Sequence, residues 1–223
     1  LPVVIMAGGK GTRLKPLTNV LPKPLIPISE KTMLEEIFER FSFHGCNRFF
    51  ISTNYKSEFI EYYLNSLKLP YEIKIFREAR PLGTAGSLSL LKGLLQTTFF
   101  VTNCDILIEQ DYSEILKFHK ENNNDITIVA AIKIYPIPYG TIESGNGGRL
   151  ISLAEKPEIT FKINSGMYVL EPSVLDYILP DQVVDITQVI EKINNLNGRI
   201  GVFPVNERSW KDIGDSFLLR KYF

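Results

Sequence analysis

Apolar runs of strand length alternate with helical patterns through the first half of the chain, and this alternation restricts the fold more than any other feature. Residues 3–7 are continuously apolar and stop at Gly8-Gly9, as suits a strand covered on both faces of a parallel sheet. Thr32-Met33-Leu34-Glu35 has the form of a capping box. After it Met33, Leu34, Ile37, Phe38 and Phe41 recur at helical spacing until Gly45, which stops the helix. A strand at 48–52, a helix marked by Phe59, Ile60, Tyr63 and Leu64, a strand at 72–76, a helix over 87–95 and a strand at 99–102 follow. This order predicts an α/β layer fold with a mainly parallel sheet.

The texture changes after the helix opened by Asp111 and Glu114. Residues 126–134 are rich in strand formers. Segments 140–143 and 149–155 flank Ser144-Gly145-Asn146-Gly147-Gly148, a hairpin turn by composition. One more strand is expected over 163–170 and one more helix over 186–193. With no repeat, low-complexity stretch or linker, a single domain over 1–223 is expected, its second half lying over the first to complete a cleft.

Charge and composition narrow the partners. Lys+Arg and Asp+Glu both number 25, so the basic excess that a nucleic-acid or membrane surface normally needs is missing. Cys46 and Cys104 form no Cys-x-x-Cys pair and the histidines are only His44 and His119. A structural zinc site is therefore not expected, and a reducing, cytoplasmic setting fits best.

The strongest local signal is Ala7-Gly8-Gly9-Lys10-Gly11-Thr12-Arg13-Leu14, directly after the first strand. Glycines let backbone N–H groups approach an anion closely, and ligands of open α/β sheets bind at the carboxyl ends of strands. Lys10, Arg13, Lys15, Lys23 and Lys31 make this region locally cationic, which suits a small polyphosphate. Two familiar phosphate motifs fit poorly. Leu14 stands where a dinucleotide fingerprint has its third glycine, against a dehydrogenase, and Gly11 is followed by Thr12-Arg13 rather than the Lys-Ser/Thr of a P-loop.

These residues, with Pro16-Leu17-Thr18 and Pro22-Lys23-Pro24-Leu25, resemble the signature of the sugar nucleotidyltransferases, the nucleotide-sugar pyrophosphorylases. The resemblance continues through Leu82-Gly83-Thr84-Ala85-Gly86-Ser87-Leu88, Asn103-Cys104-Asp105, Glu155-Lys156-Pro157, Asn164-Ser165-Gly166-Met167-Tyr168 and Trp210-Lys211-Asp212-Ile213-Gly214, in the family's order. It implies a three-layer α/β/α sandwich with a Rossmann-like, mainly parallel mixed sheet. It also implies Mg²⁺ held by Asp105 and Asp212, and Arg13 and Lys23 as the catalytic cations on the triphosphate. The nucleotide would lie on Ala7, Gly8, Gly9, Gly11, Thr12, Leu82, Gly83, Thr84 and Asn103. The sugar phosphate would meet Tyr139, Gly140, Glu155, Lys156 and Asn164. Trp210 and Tyr168 read as core aromatics or cleft walls, with the core favoured.

Cys104 departs from the glycine that many family members place before the metal aspartate. With Phe50-Ile51-Ser52-Thr53-Asn54-Tyr55-Lys56, it resembles the guanylyltransferase branch, whose members often carry regulatory cystathionine-synthase-like (CBS) modules ahead of the transferase. The expected substrates are an NTP, with GTP first, and the 1-phosphate of a hexose, hexosamine or heptose, mannose or glucosamine first. UTP, dTTP or CTP with other phosphorylated substrates are the alternatives, and a non-catalytic, nucleotide-sugar-sensing regulatory subunit is the alternative of another class. No nucleic-acid or membrane partner is expected. A homo-oligomer fits, and so does an N-terminal regulatory domain in a parent chain from which this one, starting at Leu1, is excised.

Overall fold

The computed structural model describes residues 1–214. Thirteen strands run in chain order: β1 (Pro2–Met6), β2 (Pro27–Ile28), β3 (Lys31–Thr32), β4 (Arg48–Thr53), β5 (Glu72–Arg77), β6 (Phe99–Asn103), β7 (Ile106–Ile108), β8 (Ile126–Pro136), β9 (Thr141–Ser144), β10 (Leu150–Ala154), β11 (Glu158–Leu170), β12 (Ile200–Asn206) and β13 (Trp210–Asp212). The α-helices are α1 (Met33–Phe43), α2 (Ser57–Ser66), α3 (Gly83–Gly86), α4 (Tyr112–Glu121) and α5 (Ile186–Asn195), with short 3-10 turns between them.

Seven strands form one sheet in the order β12-β8-β11-β6-β1-β4-β5. Neighbours run parallel except β11, which is antiparallel to both β6 and β8. The strands are apolar on both faces. Val3 and Ile5 of β1, Phe49 and Ile51 of β4 and Phe100 of β6 pack into one cluster with α1, α2 and α4. Val4, Phe50, Phe99 and Val101 point the other way and pack with Ala85, Leu88, Val174, Val189 and Ile193. Helices therefore cover both faces, as a sheet that is apolar on both sides requires.

The capping box at Thr32 is present: Thr32 Oγ1 accepts from the Glu35 N–H (3.3 Å) and Glu35 Oε2 from the Thr32 N–H (2.9 Å). α1 ends at Phe43, and Gly45 follows at φ 79°. Two expectations are corrected. The stretch 87–95 is not an α-helix. α3 ends at Gly86, a 3-10 turn covers Ser87–Leu91, and Gly93 sits at φ 82°. The second half does not lie over the first. β8, β11 and β12 extend the same sheet edgewise, and β11 enters beside β6. No described helix is long and apolar enough to cross a membrane.

A buried polar network ties this added half to the first. His119 of α4 is 1% exposed. Its Nδ1 meets Thr127 Oγ1 at 2.8 Å and its Nε2 meets Glu171 Oε1 at 3.1 Å, while Asn124 Nδ2 donates to Thr127 and the Thr98 hydroxyl to Glu171. Burial pushes the His119 pKa below its ordinary 6.5, and Glu171 only partly opposes this. The neutral ring is thus favoured by the fold, and the unfolded chain binds the proton more readily. Stability from this group is complete above the unfolded pKa and declines as pH falls below it. The urea midpoint should drop between about pH 7.5 and about pH 5.5, and His119→Gln should drop less over that window. An equal drop in both proteins would remove His119 as the source.

Candidate active site

The order β5-β4-β1-β6 places the switch between β1 and β6, because chain growth proceeds from β1 to one side and then jumps to the other. Ligands of open α/β sheets bind at the carboxyl ends of strands at such a point. A cavity of about 470 Å³ opens there. Its floor and rim are Gly8, Gly9, Gly11, Arg13 and Lys23 from the loop after β1, and Asn103, Cys104, Asp105 and Ile106 from the end of β6. Gly83 and Thr84 of α3, Asn164, Ser165 and Gly166 of β11, and Trp210 and Asp212 of β13 complete the wall.

Two carboxylates and two cations meet at its centre. β13 pairs antiparallel with β7, and the Ile213 N–H donates to the Asp105 carbonyl (2.9 Å), which brings Asp212 beside Asp105. Lys23 Nζ donates to Asp105 Oδ2. Arg13 Nη1 donates to Asp212 Oδ2 at 3.3 Å, and its Nη2 lies 3.6 Å from Asp105 Oδ2. Burial raises the Asp212 pKa and the Asp105 charge adds to this, while Arg13 and Lys23 pull against both. Asp212 Oδ1 is buried and has no hydrogen-bond partner among the described residues. An orphaned carboxylate oxygen beside a second carboxylate is a costly arrangement and an apt one for a hard cation. Such ions take one or two carboxylates and complete their shell with phosphate oxygens and water. Among the described residues no cluster of three His, Cys, Asp or Glu side chains could form a protein-only metal cage.

Sequence reasoning had no local signal for Glu78. This carboxylate is 6% exposed, accepts from Ser52 Oγ (2.6 Å) and the Leu82 N–H (3.0 Å), and lines the cavity. It links β4 to the segment ahead of α3, and only the fold brings those elements together. Asp185, the N-cap of α5, braces the same segment from outside. Its Oδ1 accepts from the Thr84 N–H (2.9 Å) and hydroxyl (3.1 Å).

Of the remaining predicted site residues only Asn164 lines the cavity. Ala7 and Leu82 are buried behind the cavity wall, and Thr12 stands in the short 3-10 turn after Gly11. Tyr139, Gly140, Glu155 and Lys156 do not line the cavity. They stand on the two-stranded extension of β8 and β11, beyond the sheet edge where the cavity opens. Asn164 does line it, because the β11–β8 register breaks between Asn164 and Tyr168, and the irregularity carries Ser165 and Gly166 to the rim. Of the two settings open to Trp210 and Tyr168, core or cleft wall, the core was favoured, yet both line the cavity. Trp210 Nε1–H donates to the Ser165 carbonyl (3.1 Å), and Tyr168 serves both cavity and core. Burial pushes the Cys104 thiol up to about 12, so it stays protonated and unreactive.

The family model described as nucleotidyl transferase matches residues 2–220. The chain belongs to this family. It is 38% identical over 183 residues to a mannose-1-phosphate guanyltransferase of Yarrowia lipolytica, a match covering 78% of this chain and 50% of the relative. It is 33% identical to the enzyme of the same name from Neurospora crassa, covering 96% of this chain and 61% of the relative. The chain thus spans about half the length of the curated relatives it matches. Among solved structures it resembles HddC from Yersinia pseudotuberculosis complexed with GMP-PN, with a TM-score of 0.76 and 25% identity, covering 99% of this chain and 97% of HddC. The α/β/α nucleotidyltransferase fold is that of these relatives.

Proposed function

We propose that this nucleotidyltransferase chain transfers a guanylyl group from GTP to a sugar 1-phosphate, mannose or glucosamine 1-phosphate first, releasing pyrophosphate. The observation that carries the reading is the quartet Asp105, Asp212, Arg13 and Lys23 at the mouth of a cavity on the switch point. The curated relatives are named as mannose-1-phosphate guanylyltransferases, which supports GTP and this sugar class. Asp105 and Asp212 would hold Mg²⁺, which when bound supplies positive charge against the triphosphate. Two buried, free cysteines are in keeping with a reducing, cytoplasmic setting.

The chemistry asked of the chain is mostly positioning. An oxygen of the sugar phosphate, already ionised near neutral pH, attacks the α-phosphorus. A new P–O bond forms, the α–β bridging P–O bond breaks, and pyrophosphate carries the electron pair away. No general base is needed, which agrees with a cavity that no histidine lines. Arg13 and Lys23 balance Asp105 and Asp212 in the free protein and are placed to turn toward triphosphate oxygens as negative charge shifts onto the leaving group. Glycine-loop N–H groups hold the phosphates, and Asn164 with Glu155, Lys156, Tyr139 and Gly140 on the extension hold the sugar phosphate.

Glu78 supplies a reason for guanine. A carboxylate has about four acceptor sites, and Ser52 and Leu82 use two of them. Guanine presents adjacent N1–H and N2–H donors, whereas uracil and thymine present one donor between two acceptors. Pyrophosphate release across a grid of nucleoside triphosphates and sugar 1-phosphates should require GTP and one sugar phosphate together. Glu78→Gln should lower kcat/KM for GTP by roughly 10-fold or more relative to UTP. Release with every nucleotide alike would refute the guanine assignment. No release in any pairing, with nucleotide still bound, would instead favour a sensing subunit.

A further inference from the structure

The motif Phe50-Ile51-Ser52-Thr53-Asn54-Tyr55-Lys56 runs out of the carboxyl end of β4, on the edge of the sheet where the cavity opens, yet none of its residues lines the cavity. Its polar groups are directed at the cavity walls instead. Ser52 Oγ donates to Glu78 Oε1 (2.6 Å) and Asn54 Nδ2 to the Glu78 carbonyl (2.9 Å), so positions 52 and 54 hold the residue assigned to the base. Positions 55 and 56 reach a different segment, the one that follows the glycine loop. Tyr55 Oη donates to the Thr18 carbonyl (3.3 Å), and Lys56 Nζ donates to the carbonyls of Asn19 and Val20, both at 2.7 Å.

Lys56 meets a stretch of backbone that calls for a cation. Leu17–Asn19 is a 3-10 turn closed by Val20. Carbonyls at the end of such a turn have no acceptor role further along it and carry partial negative charge. One ammonium group satisfies two of them by charge-assisted bonds, the stronger kind. Tyr55 and Phe59 flank the same ammonium, their ring centroids 5.3 and 5.7 Å away. The held segment leads directly to the site. Thr18, 1% exposed, donates its hydroxyl to the Gly11 carbonyl (3.0 Å), and Lys23 follows Val20 by three residues. Gly11 and Lys23 both line the cavity.

We propose, on the reading of the cavity as a GTP site, that Lys56 is a positioning residue. It fixes residues 17–20, and through Thr18 and Gly11 it sets the glycine loop and Lys23 at the distance from Glu78 that a nucleoside triphosphate spans. One short turn of chain thus holds the base wall with Ser52 and Asn54 and the phosphate wall with Tyr55 and Lys56, and neither wall shifts without the other.

Lys56→Met keeps most of the apolar stem and removes the charge. It should weaken GTP binding, measured by calorimetry without sugar phosphate, roughly 10-fold. Guanosine, which has the base and no phosphate, should bind as before. Lys56→Arg, which can still donate to both carbonyls, should recover most of the GTP affinity. A lysine that served stability alone would move both ligands together or neither. Hydrogen exchange on the free proteins needs no ligand. The amides of Val20 and Leu21, which donate to the Leu17 carbonyl, should exchange roughly 10-fold faster in Lys56→Met, while those of β4 and β5 keep their rates. Unchanged GTP affinity in Lys56→Met overturns the proposal, and so does an equal loss for guanosine. If the unaltered chain binds neither ligand, the GTP reading fails and exchange alone decides. Faster amides at 20 and 21 then uphold Lys56 as a positioning residue, and unchanged amides overturn it.

Discussion

Asp105→Asn and Asp212→Asn should each lower Mg²⁺-supported pyrophosphate release by roughly 10³-fold or more, and Asp212→Asn should do so without lowering the melting temperature. The two carboxylates face each other across the Asp105 carbonyl and Ile213 N–H contact. Asp212 holds one oxygen buried with no hydrogen-bond partner among the described residues, and its pKa is raised by burial and by Asp105. That arrangement costs stability in the free protein, so neutralising it relieves a repulsion. Asp105→Asn leaves Lys23 without the partner it has now and should cost a little stability. A structural aspartate would lose stability and activity together. Separate loss of activity marks a site residue. Calorimetry beside the turnover assay decides, and either variant turning over at close to the unaltered rate would sink its assignment as a metal-holding residue.

Gly214→Ala should cost about 10²–10³-fold in turnover, although Gly214 has no side chain to offer a substrate. A Cβ placed there would lie 2.1 Å from Asp105 Oδ2 and 3.0 Å from both Asp212 Oδ1 and Lys23 Nζ. No side-chain carbon tolerates such an approach, so the carboxylates or the β13 turn must give way. The acids are anchored to β6 and β13, and a displacement of about 1 Å at reacting groups costs on the order of 10²-fold. The loss should appear in kcat more than in the KM for the sugar phosphate, because the sugar-side residues lie on another part of the chain. Unchanged turnover in a folded Gly214→Ala protein would mean that the acids have room the structure does not show. Gly11 is a second position without latitude. It sits at φ 61°, and a Cβ there would meet Thr18 Cγ2 at 2.8 Å.

What the sequence made legible was whatever is encoded over a short window. The run into Gly8-Gly9, the capping box of α1 and Asp105 at a strand end each depend on a few adjacent residues, and each stands where it was expected. Residues 87–95 misled because their apolar spacing suits a helix, yet Leu88 and Leu91 are buried from a 3-10 turn that Gly93 ends. Glu78 was invisible because its partners, Ser52 and Leu82, converge only through the fold. The antiparallel entry of β11 was hidden for a related reason. Its apolar stretch near Val169 reads as a strand in either direction, and only pairing decides. Trp210 was assigned to the core because a large aromatic is usually buried, whereas here its N–H needs the Ser165 carbonyl and its ring closes the cavity wall.

The reversed strand has a bearing on how the molecule is made. β1 is made before the other strands of the sheet and ends up inside it, yet its partner β6 lies nearly one hundred residues downstream. β6 in turn waits for β11, and β7 for β13 at the far end of the described chain. Pairings at such sequence separations are slow, since the loops between them must close before any contact rewards the closure. On the ribosome the earliest strands emerge with neither face covered, a condition that invites wrong pairing. The cavity therefore takes shape only after its sheet has formed, when residue 212 reaches residue 105. Nascent chains halted before that point should be recognised by chaperones as unfinished, however much of their sheet has already formed.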